Sequence, residues 1–156
     1  MNDNIKFKNF FKNGYFKKNS FFDTKFIENL NKEILEAKDV DRYYDINNIL
    51  RRIEKLYDKG KYLIELNKKI SSTLKEVFDE EFLIFKDKFN AKPPGGEGFF
   101  AHYDGVFQFI NSNDEKKNGW YEYGNFFVSA LVAIDECNTK NGALELAKSH
   151  KGNFDE

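Results

Sequence analysis

His102 and Asp104 are the residues in this sequence whose types and spacing best suit chemistry. They stand two positions apart in "FFAHYDG". On a strand, positions i and i+2 point to the same face. An imidazole nitrogen and a carboxylate oxygen on one face can grip the same metal ion. The plain alternative is a surface histidine beside a loop carboxylate.

Two ligands do not complete a site. A mononuclear iron centre built from two histidines and one carboxylate on one side of the metal leaves the remaining positions open for small molecules. His102 and Asp104 can supply two of those three ligands. The chain has two histidines, so by arithmetic the third would be His150, in "KSHKG". Spacing alone leaves that closure open. Close by, "FKDKFNAK" places Lys86, Lys88, Asn90 and Lys92 on one face of an expected strand. Three ammonium groups suit an anion such as a carboxylate if that face points inward. If it points to solvent, they are ordinary charges on an exposed or edge strand. The pattern favours neither.

The elements that must position these residues follow from periodicity. In "DTKFIENLNKEILEAKD", Asp23 is the expected N-cap of a helix. Its apolar face is Phe26, Ile27, Leu30, Ile34 and Leu35. "DINNILRRIEKLYDKG" carries a second helical stripe, Ile46, Ile49, Leu50, Ile53, Leu56 and Tyr57, with Gly60 as its stop. Residues 61–78 carry a third, Leu63, Leu66, Ile70, Leu74 and Val77. These stripes are core packing. From "EEFLIFKDKFNAKPP" onward the helical spacing fades. A strand there ends at Pro93, Pro94, Gly95 and Gly96. "FFAHYDGVFQF" is a second expected strand and "NSNDEKKNG" a polar loop. "NFFVSALVAID" is a third strand buried on both faces, "ECNTKNG" a turn on Asn141-Gly142, and "ALELA" a short fourth strand. Helices first and strands after imply an α+β fold in a single domain over 1–156, mainly helical over 1–80 and mainly β over 81–156.

Composition narrows the function classes. A net charge of −1 gives no nucleic-acid footprint. The single cysteine, Cys137, excludes an internal disulfide framework and fits a reducing compartment. No apolar run suits a signal peptide or a membrane span. The expectation is a cytoplasmic protein that binds a small molecule and neither nucleic acid nor membrane. The oligomeric state is left open.

"LIFKDKFNAKPPGGEGFFAHYDG" resembles the strand and corner of the phytanoyl-CoA dioxygenase family. "FFVSALVAIDECNTKNGALELAKSHKG" resembles that family's next block. Together the two blocks cover about residues 83–153. The lysine-rich block is most similar to small-molecule hydroxylases of the 2-aminoethylphosphonate dioxygenase kind. The family consists of non-haem iron(II), 2-oxoglutarate-dependent oxygenases on a double-stranded β-helix of the jelly-roll, cupin-like type. The resemblance implies that His102 and Asp104 are iron(II) ligands and that Asn90 and Lys92 lie near 2-oxoglutarate. It assigns no catalytic side chain beyond the metal ligands. Tyr103 fills a position often held by Gln, so its role does not carry over.

The resemblance also bears on His150. Its counterpart in relatives is not a ligand. Their distal histidine comes tens of residues later, followed by an arginine that pairs with 2-oxoglutarate. This sequence ends at Glu156 and its last arginine is Arg52. A jelly roll needs about eight strands, and roughly half that number is expected here. The resemblance therefore implies the N-terminal part of a longer oxygenase domain, with an incomplete barrel. Two rival expectations remain. One is a catalytically inactive remnant or binding module of the same fold. The other is a small complete metal-binding β-domain closed by His150.

Overall fold

The computed structural model describes residues 8, 10–95, 100 and 102–146 of the chain. These divide into two compact units, one within Met1–Pro94 and Ala133–Glu156, the other within Gly95–Val132.

The first unit carries helix α1 (Thr24–Glu36), strands β1 (Asp41–Tyr44) and β2 (Leu50–Glu54), helix α2 (Lys61–Phe78) and strand β3 (Lys88–Asn90). α1 begins where the sequence marks it. The Asp23 carboxylate accepts the Phe26 N–H at 2.7 Å and satisfies an amide that lacks an intrahelical partner. Phe26, Leu30 and Ile34 form its buried stripe. They cluster with Ala37, Ile53, Leu56 and Leu63. Leu30 and Ile53 have no exposed surface, which makes them the centre of that core.

α2 starts at Gly60, which has no side chain to cap with. Its cap comes from α1 instead: the Glu33 carboxylate accepts the Leu63 N–H at 2.8 Å. A negative charge at a helix N-terminus also meets the positive end of the helix dipole. Gly60 leaves room for this cap, because a Cβ there would lie 2.1 Å from the Glu33 carboxyl carbon and push that side chain aside. The residue expected to stop one helix therefore admits the carboxylate that starts the next.

The helix expected over "DINNILRRIEKLYDKG" is a strand. β1 and β2 pair antiparallel, with Arg42 opposite Ile53, and β2 continues to β3, with Ile53 opposite Phe89. The cause lies in the turn. The Asp45 carboxylate accepts the amides of Asn47 and Ile49, each at 2.9 Å. Asn48 takes a left-handed conformation at φ 57°. Side-chain bonds of this type compete with the helical ladder. Ile46, counted in the expected stripe, is 99% exposed.

β3 is one of the two edge strands of a sheet ordered β1-β2-β3. It is shorter than the expected strand, and residues 81–87 are irregular. The Asp87 carboxylate bonds the Leu56 amide at 2.6 Å, which fixes the chain entering β3. Phe89 packs on the core while Lys86, Lys88, Asn90 and Lys92 are exposed. Phe85 departs from that alternation and is exposed.

The second unit is built on the hairpin of β4 (Gln108–Ile110) and β5 (Lys116–Asn118), followed by a 3-10 turn at Gly119–Glu122. The expected strand over "FFAHYDGVFQF" is thus confined to its last residues. Part of the expected polar loop is a strand. Asn111 repeats the Asp45 device: its side-chain oxygen accepts the amides of Asn113 and Glu115, at 2.9 and 3.0 Å. The unit packs through aromatic pairs, Phe109 on Tyr123 and Trp120 on Phe127.

Over 125–135 the expected buried strand forms no ladder, and Leu131 is 72% exposed. An extended segment becomes a strand only when a neighbour takes its amides and carbonyls. The expected strand "ALELA" is irregular over 143–146, and its last residue lies outside the described residues. The Asn141-Gly142 turn forms as expected, with Asn138 accepting the Asn141 and Ala143 amides. The described residues therefore mix helix with antiparallel sheet, and no barrel closes among them. Nor is any described helix long and apolar enough to cross a membrane.

Glu33→Ala is expected to cost about 1–2 kcal/mol of stability in chemical denaturation, with Glu33→Gln losing less because it keeps an acceptor. An unchanged denaturation midpoint for Glu33→Ala would contradict the cap. In the hairpin, Asn111 and then Lys117 hold the Glu115 carboxyl below its usual range. A depressed folded pKa gives stability above the unfolded value that is lost as pH falls. The protection of the hairpin amides, measured against their intrinsic exchange rates, should therefore fall on acidification through the carboxylate range, and Glu115→Gln should remove that dependence.

Candidate metal centre

His102 and Asp104 do not lie on a strand. They sit on the loop that leads into β4, with Asp104 and Gly105 forming a turn. Their side chains still converge: His102 Nε2 lies 3.5 Å from Asp104 Oδ1. Both are more than half exposed. The i, i+2 spacing thus brings the donors together through a loop, where strand parity is expected to do so.

The imidazole is oriented by the backbone. His102 Nδ1 lies 2.7 Å from the Phe100 carbonyl oxygen. A carbonyl only accepts, so Nδ1 carries the hydrogen and donates it. That leaves the Nε2 lone pair facing Asp104 in the neutral ring. A metal ion placed between the two atoms would meet a lone pair from each. Metal-bound histidines characteristically donate their other ring N–H to a carbonyl or carboxylate. Donors held by one first-row metal at about 2.1 Å and roughly 90–110° stand about 3.0–3.4 Å apart. At 3.5 Å the pair stands just wider than two adjacent positions of such a shell.

Among the described residues, no third His, Cys, Asp or Glu side chain joins them. His150 lies outside the described residues.

The turn after Asp104 is pinned from a distance in sequence. The Trp120 amide donates to the Gly105 carbonyl at 3.1 Å. Gly105 has φ +81°, and a Cβ there would lie 3.0 Å from the Trp120 ring. Both Gly105 and Gly119 are buried. These backbone partners, together with the Phe100 carbonyl, escape a search for chemically active side chains. Their signal is the pair of dipeptides Asp104-Gly105 and Asn118-Gly119, read as two turns.

Asn90 and Lys92 belong to the first unit, and both are exposed. Lys92 Nζ donates to the Gly142 carbonyl at 2.5 Å. Lys86 pairs with Glu54 at 3.2 Å, and the same oxygen takes Arg52 at 3.2 Å. The lysine face therefore points to solvent, and two of its three ammonium groups already have oxygen partners.

No family model matches the chain, and no solved structure matches it. The chain is 30% identical over 101 residues to the 2-aminoethylphosphonate dioxygenase of uncultured bacterium HF130_AEPn_1. That stretch covers 64% of this chain and 34% of the other, so the chain spans about a third of the relative's length. The relationship is dioxygenase-like.

Titration with Co(II) followed by calorimetry should show binding that His102→Ala abolishes and His150→Ala leaves nearly unchanged. Equal losses in the two variants would instead make His150 a ligand and the short chain a complete centre.

Proposed function

We propose that this chain carries the first two metal ligands of an iron(II)- and 2-oxoglutarate-dependent oxygenase that hydroxylates a small molecule, of the phytanoyl-CoA dioxygenase kind. The observation that carries the reading is the His102–Asp104 pair, converged to 3.5 Å with the imidazole oriented by the Phe100 carbonyl. Similarity to a named dioxygenase supports it.

In this reading His102 Nε2 and Asp104 Oδ1 hold the metal. The Phe100 carbonyl keeps the Nε2 lone pair available by holding the hydrogen on Nδ1. Bound iron(II) supplies the redox chemistry that couples decarboxylation of 2-oxoglutarate to hydroxylation of a C–H bond. Lys92 offers an ammonium group to a carboxylate of 2-oxoglutarate, for which it would exchange its bond to the Gly142 carbonyl. Asn90 offers an amide as a neutral donor and acceptor beside it. The relative is named for a small aminophosphonate, and that compound is the first substrate to assay.

A non-catalytic binding module of the same fold is the second reading. The exposure of both ligands favours it.

In the intact protein, succinate formation from 2-oxoglutarate in the presence of iron(II) and 2-aminoethylphosphonate is expected, and His102→Ala should abolish it. Lys92→Ala should weaken 2-oxoglutarate binding by about tenfold or more, the worth of one charge-assisted bond. Unchanged affinity in that variant counts against Lys92. Metal binding without any succinate, whatever the substrate tried, favours the binding module.

A further inference from the structure

We infer that Gly119 is a positioning residue for the metal ligand Asp104, acting through the backbone of Gly105; the inference rests on the metal-site reading above. A loop ligand has no strand ladder to fix it. Asp104 stands immediately before Gly105, whose carbonyl is held by the Trp120 amide at 3.1 Å. The β4–β5 hairpin brings the two segments together, with Gln108 opposite Asn118. Gly119 then passes directly against the turn. A Cβ at Gly119 would lie 1.8 Å from the Gly105 carbonyl oxygen and 2.9 Å from its carbon. Gly119 also takes φ +61°, a left-handed conformation that an L side chain strains to adopt.

No rotamer relieves such a clash, because the atoms met are backbone. Phe107 N also stands 3.3 Å from the same point, so the overlap spans the backbone between the turn and β4. Any larger residue at Gly119 must push the Gly105 peptide away and move Asp104 with it. His102 is held separately, by the Phe100 carbonyl. The displacement acts first on Asp104, which is directly bonded to Gly105, and so changes its separation from His102. A shift of that kind costs metal affinity while leaving both donors chemically intact.

The test is Co(II) affinity and visible absorption in the intact protein, for the wild type, His102→Ala, Gly119→Ala and Asn111→Ala. Asn111→Ala loosens the same hairpin at its far end, where Asn111 caps the turn, and does not touch Gly105. Gly119→Ala should lose about tenfold or more in affinity, as supporting contacts of metal ligands typically do, with an altered Co(II) spectrum. Asn111→Ala should stay close to wild type in both. Equal affinity for Gly119→Ala and wild type overturns the inference, and so does an equal loss in Asn111→Ala. If Gly119→Ala melts the hairpin, seen as lost amide protection over β4 and β5, Gly105→Ala decides by the same criteria. The three atoms nearest its Cβ all belong to the Trp120 ring, at 3.0 Å or beyond, and the φ of +81° is the strain that alanine must take up there. A wild type whose Co(II) binding is absent or indifferent to His102→Ala overturns the metal-site reading itself.

Discussion

The hydrogen bond from the Trp120 amide to the Gly105 carbonyl closes the loop that carries both candidate metal donors. A metal ligand must be held to within a fraction of an ångström, and a strand ordinarily provides that through its ladder. Here the donors lie outside any ladder. Their precision comes from three backbone features: the Phe100 carbonyl behind His102, the Gly105 turn beside Asp104, and Gly119 packed against that turn. The β4–β5 hairpin matters to the chemistry because it delivers Gly119 and Trp120 to Gly105.

The first unit is assembled on the same principle, with carboxylates and amides closing backbone groups that regular structure leaves open. Asp23 caps α1, Glu33 reaches from α1 to cap α2, and Asp87 holds the Leu56 amide. Asp45 and Asn111 close their two hairpins with identical hydrogen-bond patterns. Leu30 and Ile53 supply the apolar centre between helix and sheet. The charges on the outer face contribute less. Lys55 with Asp41 and Lys75 with Glu81 are exposed pairs, screened by solvent and worth little to stability.

α1 was legible because apolar spacing and a capping residue agreed, and α2 was legible from apolar spacing alone. Asp23 and the Phe26, Leu30, Ile34 stripe mark α1 without ambiguity. The region 45–60 was misread because its apolar residues suit a helical stripe, while Asp45, Asn47 and Asn48 specify a turn. Turn chemistry prevailed over periodicity. The alternation that exposes Lys86, Lys88, Asn90 and Lys92 was legible from parity, but its direction depended on which side the core lay. Of the candidate centre, the spacing of His102 and Asp104 marked the pair. The contacts that orient it are to backbone atoms of Phe100 and Gly105, and a carbonyl leaves no trace in residue type.

The central claim is that His102 and Asp104 bind one divalent metal together. The most direct measurement is nuclear magnetic resonance of the protein, selectively labelled at histidine and aspartate, during substoichiometric addition of Co(II). The account predicts that the His102 imidazole and the Asp104 carboxyl resonances shift or broaden first and together. The Nδ1 proton of His102 should be retained throughout, since it is donated to the Phe100 carbonyl and not displaced by metal at Nε2. Broadening spread over the surface carboxylates, or a response at one of the two residues without the other, would contradict the account.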